Sequence, residues 1–199
     1  DLDMVAESNT NRQIHALGDV YGRAKVDAMA ERIRAIHPGC RVNTIEDFIT
    51  PDNTALMLGT DFTFVIDAID QARAKVSMIS HCRRAGIPII TAGAAGGQLD
   101  PTQIRIDDLA RTEQDPLLAK VRSQLRKDHG FTRKPGTKFG IAAVYSTEPL
   151  RYPSPAIHCD NQAASGGLNC AGFGSSVAVT AGFGLAAAAY AMRLIAESD

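Results

Sequence analysis

A chain of 199 residues, 45% of them apolar, is long enough to bury one core. Its formal net charge of −1 excludes a bulk electrostatic pull toward nucleic acid or anionic membrane, so any polyanion site must come from local clustering. The four cysteines, Cys40, Cys82, Cys159 and Cys170, form no C-x-x-C pair and the five histidines no close pair, which leaves zinc ribbons, secreted disulfide frameworks and histidine metal sites without support.

The chain opens without Met or a signal peptide on Asp1-Leu2-Asp3, which reads as the end of a strand, so it is expected to begin inside a fold. Val26, Met29, Ile33 and Ile36 recur at three- and four-residue spacing and predict an amphipathic helix over 23–36, stopped by Pro38-Gly39. Residues 41–45 alternate as a short strand, and 51–58 read as a short helix capped by Thr50. The nearly all-apolar run 62–69 predicts a strand buried on both faces, with Asp70 at its C-terminal end. A helix over 71–85, Gly86 and a strand over 87–91 follow. This alternation indicates an α/β, doubly wound Rossmann-like sheet.

Ala92 to Gly97 (AGAAGG) follows a strand but opens no helix, so it is expected to be a tight turn and not a phosphate loop. Beyond it, 103–109 reads as a strand, 116–127 as a helix and 138–145 as a strand. Between Asp115 and Lys138 the bases Lys120, Arg122, Arg126, Lys127, Arg133, Lys134 and Lys138 outnumber Asp115 and Asp128. That run is either a footprint for a phosphate backbone or a solvated helix face with a charged turn. Residues 146–174 are rich in Pro, Gly, Ser and Asn and read as a long loop, of a length that is usually either functional or disordered. Residues 175–196 close the chain as a small-residue-rich apolar helix. The uncharged stretch 161–192 is long enough to span a bilayer. Its Ala and Gly content, with Gly172, Gly174, Gly182 and Gly184, favours a helix packed on the domain or on a dimer partner over membrane association through 171–192. Cys170, just before that helix, is read as a small inert side chain in preference to a catalytic or sulfur-relay thiol.

Chemistry concentrates at the start. Asp1 sits where a doubly wound nucleotide fold holds ribose hydroxyls; Ser8, Asn9, Arg12 and Lys25 follow, and Asp70 ends the next buried strand. A ribose acceptor, two cations and a metal-holding acid are the parts that MgATP needs. Singly, Arg12 and Lys25 also fit solvated helix charges, and Asp70 fits an N-cap.

The pattern D-x-D-x-V-x-x-S-N-x-x-R-Q, a G-x-x-K beyond it, and a buried strand ending in Asp resembles the ThiF/MoeB family of ubiquitin-activating-type adenylyltransferases over 1–97. The remainder, including DPTQIRIDDLARTEQDPLLAKVR and STEPLRYP, resembles one branch, the tRNA threonylcarbamoyladenosine dehydratases. The resemblance implies a single domain, with a nucleotide-binding part over 1–97 and a substrate and dimer part over 98–199. It also implies ATP and Mg2+, tRNA as substrate, a cytoplasmic homodimer and a link to a cysteine-desulfurase or sulfur-acceptor system. Asp1 would hold the ribose, Ser8, Asn9 and Arg12 line the nucleotide, Lys25 stabilise phosphate charge and Asp70 bind magnesium. Arg12, Lys25 and Asp70 would be the catalytic set.

Two departures matter. The glycine-rich phosphate loop should lie upstream of Asp1, and the two strands that accompany it would fill the middle of the sheet; residues 1–199 alone are therefore expected neither to fold stably nor to bind ATP. The zinc-binding C-x-x-C pairs of many relatives are missing, so no structural zinc is expected and the dehydratase branch is preferred. The reaction implied is ATP-dependent dehydration, with cyclisation, of threonylcarbamoyladenosine in tRNA through an acyl-adenylate. The alternatives are adenylation of a ubiquitin-like sulfur carrier, or a non-catalytic scaffold for a sulfur-transfer partner.

Overall fold

The computed structural model describes residues 1–152 and 174–197, which pack as two units, 1–49 and 50–199. The expected division at residue 97 thus falls inside the second unit.

In the first unit the expected strand end at Asp1-Leu2-Asp3 is replaced by an extended segment with one antiparallel bridge, Met4 to Ala24. Val5 N–H donates to the Arg23 carbonyl at 2.8 Å, and Gly22 N–H returns a bond to Val5 at 2.8 Å. This clasp buries Val5 against Ala16 and Ala28. Helix α1 runs Lys25–Ile36. Its fully buried positions are the small Ala28 and Ala30, while Val26, Met29 and Ile33 line a cavity and Ile36 is exposed. The strand expected over 41–45 does not form. Alternation supplies β propensity, but a strand needs a ladder partner, and among the described residues 41–45 have none.

In the second unit α2 (Thr54–Leu58) starts three residues later than expected. Thr50 does not cap it: Asn53 occupies that position, and the Thr54 hydroxyl donates to the Thr50 carbonyl at 2.6 Å. Strands β1 (Val65–Asp67), β2 (Ile89–Ala92), β3 (Ile104–Asp108) and β4 (Ala142–Ser146) form one sheet in the order β1-β2-β4-β3. The first three neighbours are parallel, with Val65 opposite Ile89 and Thr91 opposite Ala143; β3 runs antiparallel, with Ile106 opposite Val144.

Helices α3 (Ala72–Ala85), α4 (Pro116–Asp128) and α5 (Val177–Ala196) complete the layers. Helix α3 ends at Gly86, whose φ of 71° only glycine adopts without strain. Helix α4 begins with Pro116 at its first turn, and the capping Asp115 carboxylate accepts from Leu118 N–H at 2.9 Å. Val179, Phe183 and Ala187 of α5 pack on Ile90 and Val144. Lys75 of α3 reaches Thr91, the neighbour of Ile90, and successive strand residues point to opposite faces. Helices α3 and α5 therefore cover opposite faces of a doubly wound α/β sheet. Helix α5 is long and apolar enough to cross a membrane by composition, yet this packing gives its stripe a core role.

Candidate functional site

In the first unit Lys25 occupies the first position of α1, where a cation faces the positive end of the helix dipole. Asp3 offsets this: its Oδ2 takes the Lys25 ammonium at 2.8 Å, and its carbonyl accepts Lys25 N–H at 2.9 Å. Asp1 Oδ1 in turn accepts Asp3 N–H at 2.9 Å. Asp1 and Lys25 line one cavity of about 550 Å³, walled by Val26, Met29 and Ile33 and by residues 42–45. Gln13 and His15 also face it, and Gln13 Oε1 with both His15 ring nitrogens are buried without a hydrogen-bond partner in the protein. Burial, then the charges of Lys25 and Arg32, hold His15 below the usual imidazole range. An apolar cavity with an ammonium, a carboxylate and orphaned polar atoms is chemically suited to a nucleotide.

The other expected residues of this unit do different things. Asn9 is buried; its Oδ1 accepts Ala6 N–H at 3.0 Å, and its carbonyl accepts from Arg12 and Gln13. It shapes the turn that carries Arg12. The Arg12 guanidinium donates to the Ser8 carbonyl at 3.0 Å and to Asn11 Oδ1 at 2.9 Å. Ser8 is exposed. None of the three lines the cavity that Asp1 and Lys25 share.

In the second unit Asp70 is exposed and lies three residues beyond β1, which ends at Asp67 and not, as expected, beside Asp70. Gln71 takes the N-cap position of α3. The acid buried at the end of β1 is Asp67, a residue that the sequence reading passed over. Asp67 and Lys75 are both fully buried, with the ammonium 3.1 Å from Asp67 Oδ2 and 3.2 Å from Thr91 Oγ1. Thr91 Oγ1 donates to the same carboxylate oxygen at 2.7 Å, and Ile69 N–H donates to the other at 3.0 Å. This network fixes the turn from β1 toward Asp70. An acid inside an apolar strand run was the available signal, because a buried carboxylate requires a partner.

The turn over 92–97 is built as structure. Gly93 N–H donates to the Val144 carbonyl at 2.8 Å, Ala94 N–H to Asp115 Oδ2 at 2.9 Å and Gly97 N–H to the Gly174 carbonyl at 3.0 Å. Those amides are thus committed and make no phosphate cradle. Burial raises the Asp115 carboxyl above the usual range, against the lowering effect of its amide bonds. Burial likewise pushes the Cys82 thiol up to about 11, which makes it inert. Cys159, Cys170 and most of the loop 146–174 lie outside the described residues. Among the described residues no group of three or more His, Cys, Asp or Glu side chains clusters for a metal ion.

Residues 1–198 match the ThiF family. A tRNA threonylcarbamoyladenosine dehydratase of Escherichia coli (strain K12) is 50% identical over 198 residues, covering 97% of this chain and 74% of its own length. A Haemophilus influenzae protein of the same name is 49% identical over 185 residues, covering 92% of this chain and 70% of its own. The crystal structure of the E. coli tRNA N6-threonylcarbamoyladenosine dehydratase in complex with ATP superposes with a TM-score of 0.86 at 47% identity, covering all of this chain and 74% of that one. Its AMP complex matches equally well, with a TM-score of 0.86.

Proposed function

This chain belongs to the ThiF family, and on that premise we propose that it is an ATP-dependent tRNA threonylcarbamoyladenosine dehydratase. The carboxylate of the threonylcarbamoyl group on a tRNA adenosine attacks the α-phosphate of ATP, and pyrophosphate leaves. An atom of the same side chain then attacks the activated acyl carbon and displaces AMP. The ring closes, and water is lost overall. Because the second nucleophile belongs to the substrate, the enzyme needs no reactive thiol, in keeping with the inert Cys82.

The observation that carries this reading is the pairing of Asp1 and Lys25 on one cavity of about 550 Å³. Asp1 is assigned to the ribose hydroxyls. Lys25 is assigned to the phosphates, where its ammonium and the N-terminal end of α1 favour the same negative charge. Arg12, on the turn shaped by Ser8 and Asn9, is assigned to charge that develops at the α-phosphate. The exposed Asp70 carboxylate suits Mg2+, a hard cation that takes oxygen ligands and neutralises the triphosphate. The enzyme works in the cytoplasm as a homodimer, for which the exposed Val177, Leu185 and Met192 of α5 offer an apolar face.

The test is pyrophosphate release from ATP by the full-length protein. Release that depends on tRNA bearing threonylcarbamoyladenosine, and that falls at least a hundredfold (about 2.7 kcal/mol of transition-state stabilisation) in Lys25→Ala, supports the assignment. Release that requires a ubiquitin-like carrier protein instead would overturn it.

A further inference from the structure

We infer that a cation cluster at the amino ends of β2 and β4 grips the phosphate backbone of the tRNA body, away from the reacting nucleoside. The inference rests on the tRNA reading above and goes beyond it by assigning where the rest of that substrate is held. Helices α3 and α4 end side by side, with the Ser80 hydroxyl 2.9 Å from His129 Nδ1. Arg83 and Arg84 stand in the last turn of α3, Arg126 and Lys127 in that of α4, and Arg133 and Lys134 in the segment that follows. That segment folds back on α4: Arg126 Nε donates to the Thr132 carbonyl at 3.3 Å, and Lys134 N–H donates to Thr132 Oγ1 at 3.1 Å.

Little opposes these charges. Arg126 is half-buried and the other five cations are exposed; among the described residues none of the six forms an ion pair. Residues 72–99 contain no acid, and residues 116–147 contain only Asp128. On β3, Asp108 turns its carboxylate to the Phe139 and Gly140 amides at 2.8 and 2.7 Å. Cations at a helix C-terminus complement the dipole, but two such ends offset only about one unit of charge between them. With Asp128 also set against the six, about four positive charges remain uncompensated, in a chain whose formal net charge is −1.

The chemistry of the cluster selects phosphates as the occupant. The Arg83 guanidinium lies 4.2 Å from the Phe131 ring centroid and that of Arg126 5.1 Å from Phe139, and the two rings meet edge to face at 4.9 Å. Stacking fixes each guanidinium plane and leaves N–H groups at its edge for bidentate contact with phosphate oxygens. Among the described residues, none of 80–86 or 122–139 exposes a large apolar side chain. The surface therefore lacks the apolar centre of a protein interface and the apolar side chains that enter a membrane. Its position argues for the tRNA body. Ligands of doubly wound sheets bind beyond the carboxyl ends of the strands, the edge at which Asp70 follows β1. The cluster sits at the opposite edge, where α3 leads into β2. Strands of four and five residues separate the two edges by roughly 13–17 Å, which a folded tRNA covers.

The test compares full-length wild type with a variant carrying Arg84→Gln, Lys127→Gln, Arg133→Gln and Lys134→Gln, which leaves the stacked Arg83 and Arg126 in place. Binding is measured, over a range of salt, to tRNA bearing threonylcarbamoyladenosine and to a short hairpin cut from that tRNA around the modified nucleoside. The wild type should bind tRNA more tightly than the hairpin. In the variant, affinity for tRNA should fall at least about tenfold and its slope of log affinity against log salt by about 3–4, with the hairpin unaffected. Arg84→Lys with Arg133→Lys should keep both near wild type. Unchanged tRNA affinity and slope overturn the inference. An equal fall for tRNA and hairpin overturns the remote placement. Retained tRNA affinity with loss of binding to a polyglutamate peptide or to phosphatidylserine vesicles overturns the occupant. The two readings fail separately. Dehydration by the wild type with an indifferent variant removes the cluster alone; weakened tRNA binding in the variant, without dehydration by the wild type, removes the activity alone.

Discussion

Replacing Lys75 by methionine should strongly destabilise the second unit. The Lys75 ammonium and the Asp67 carboxylate are both fully buried and 3.1 Å apart. At that distance, with an effective dielectric of about 20, their attraction is about 5 kcal/mol, most of which offsets the cost of desolvating both ions. Lys75→Met removes the attraction and leaves the carboxylate buried, held only by Thr91 Oγ1 and Ile69 N–H. The expected loss is about 3–5 kcal/mol. That is a large part of the roughly 5–15 kcal/mol that holds an ordinary domain folded. Adding Asp67→Asn to Lys75→Met should restore about half of the loss or more, because no charge is then buried while an acceptor remains for Ile69. Urea denaturation of the four proteins of this cycle measures the coupling. A Lys75→Met loss below about 1 kcal/mol, or a double variant no more stable than the single, would refute the reasoning.

Other consequences can be checked alongside. Gly93→Ala places a Cβ against the Asp115 carboxylate and Leu118, and overpacking there should cost about 1–3 kcal/mol in thermal denaturation. Asp115 has a raised folded-state pKa, so the folded protein binds its proton more tightly than the unfolded chain does. Stability from this group is present below the unfolded value of about 4 and is lost as pH rises through the folded value. Denaturation of Asp115→Asn should therefore lack that acid-favoring slope; an unchanged pH profile would contradict the burial argument. Asp70→Ala should raise the Mg2+ concentration needed for half-maximal pyrophosphate release. Reversing Lys120 and Lys127 to Glu should weaken tRNA binding and lower the slope of log affinity against log salt by about 1–2. Arg126 is a poorer probe, since its guanidinium lies 5.1 Å from the centroid of the Phe139 ring and reversal would disturb that packing as well.

Helices were legible in the sequence because their signals are local. The spacing of Val26, Met29 and Ile33, Pro116 at a first turn, and Gly86 at a C-cap placed α1, α3, α4 and α5 within two residues of their observed ends. Strands were less legible. The run 62–69 is a strand only over Val65–Asp67, since ladder length depends on β2, over twenty residues away. The antiparallel course of β3 is not legible in Ile104-Arg105-Ile106-Asp107-Asp108, whose mixed apolar and charged residues fit a half-exposed strand but name no partner. In the site, acid and base types at the start of the chain identified Asp1 and Lys25, which share a cavity. Lys75 carried no signal of its own in the sequence, because its burial is set by Asp67 and Thr91 on two strands. Gln13 and His15 were likewise invisible as cavity groups until the clasp of residues 3–5 on 22–25 brought them to one wall.

The central claim concerns one chemical change in one nucleoside. Full-length protein is incubated with ATP and tRNA that bears threonylcarbamoyladenosine, and the digested nucleosides are weighed by mass spectrometry. The account predicts conversion to a product lighter by one water, matched by equal AMP and pyrophosphate. Nucleoside of unchanged mass, with ATP intact beside an active positive control, would contradict it.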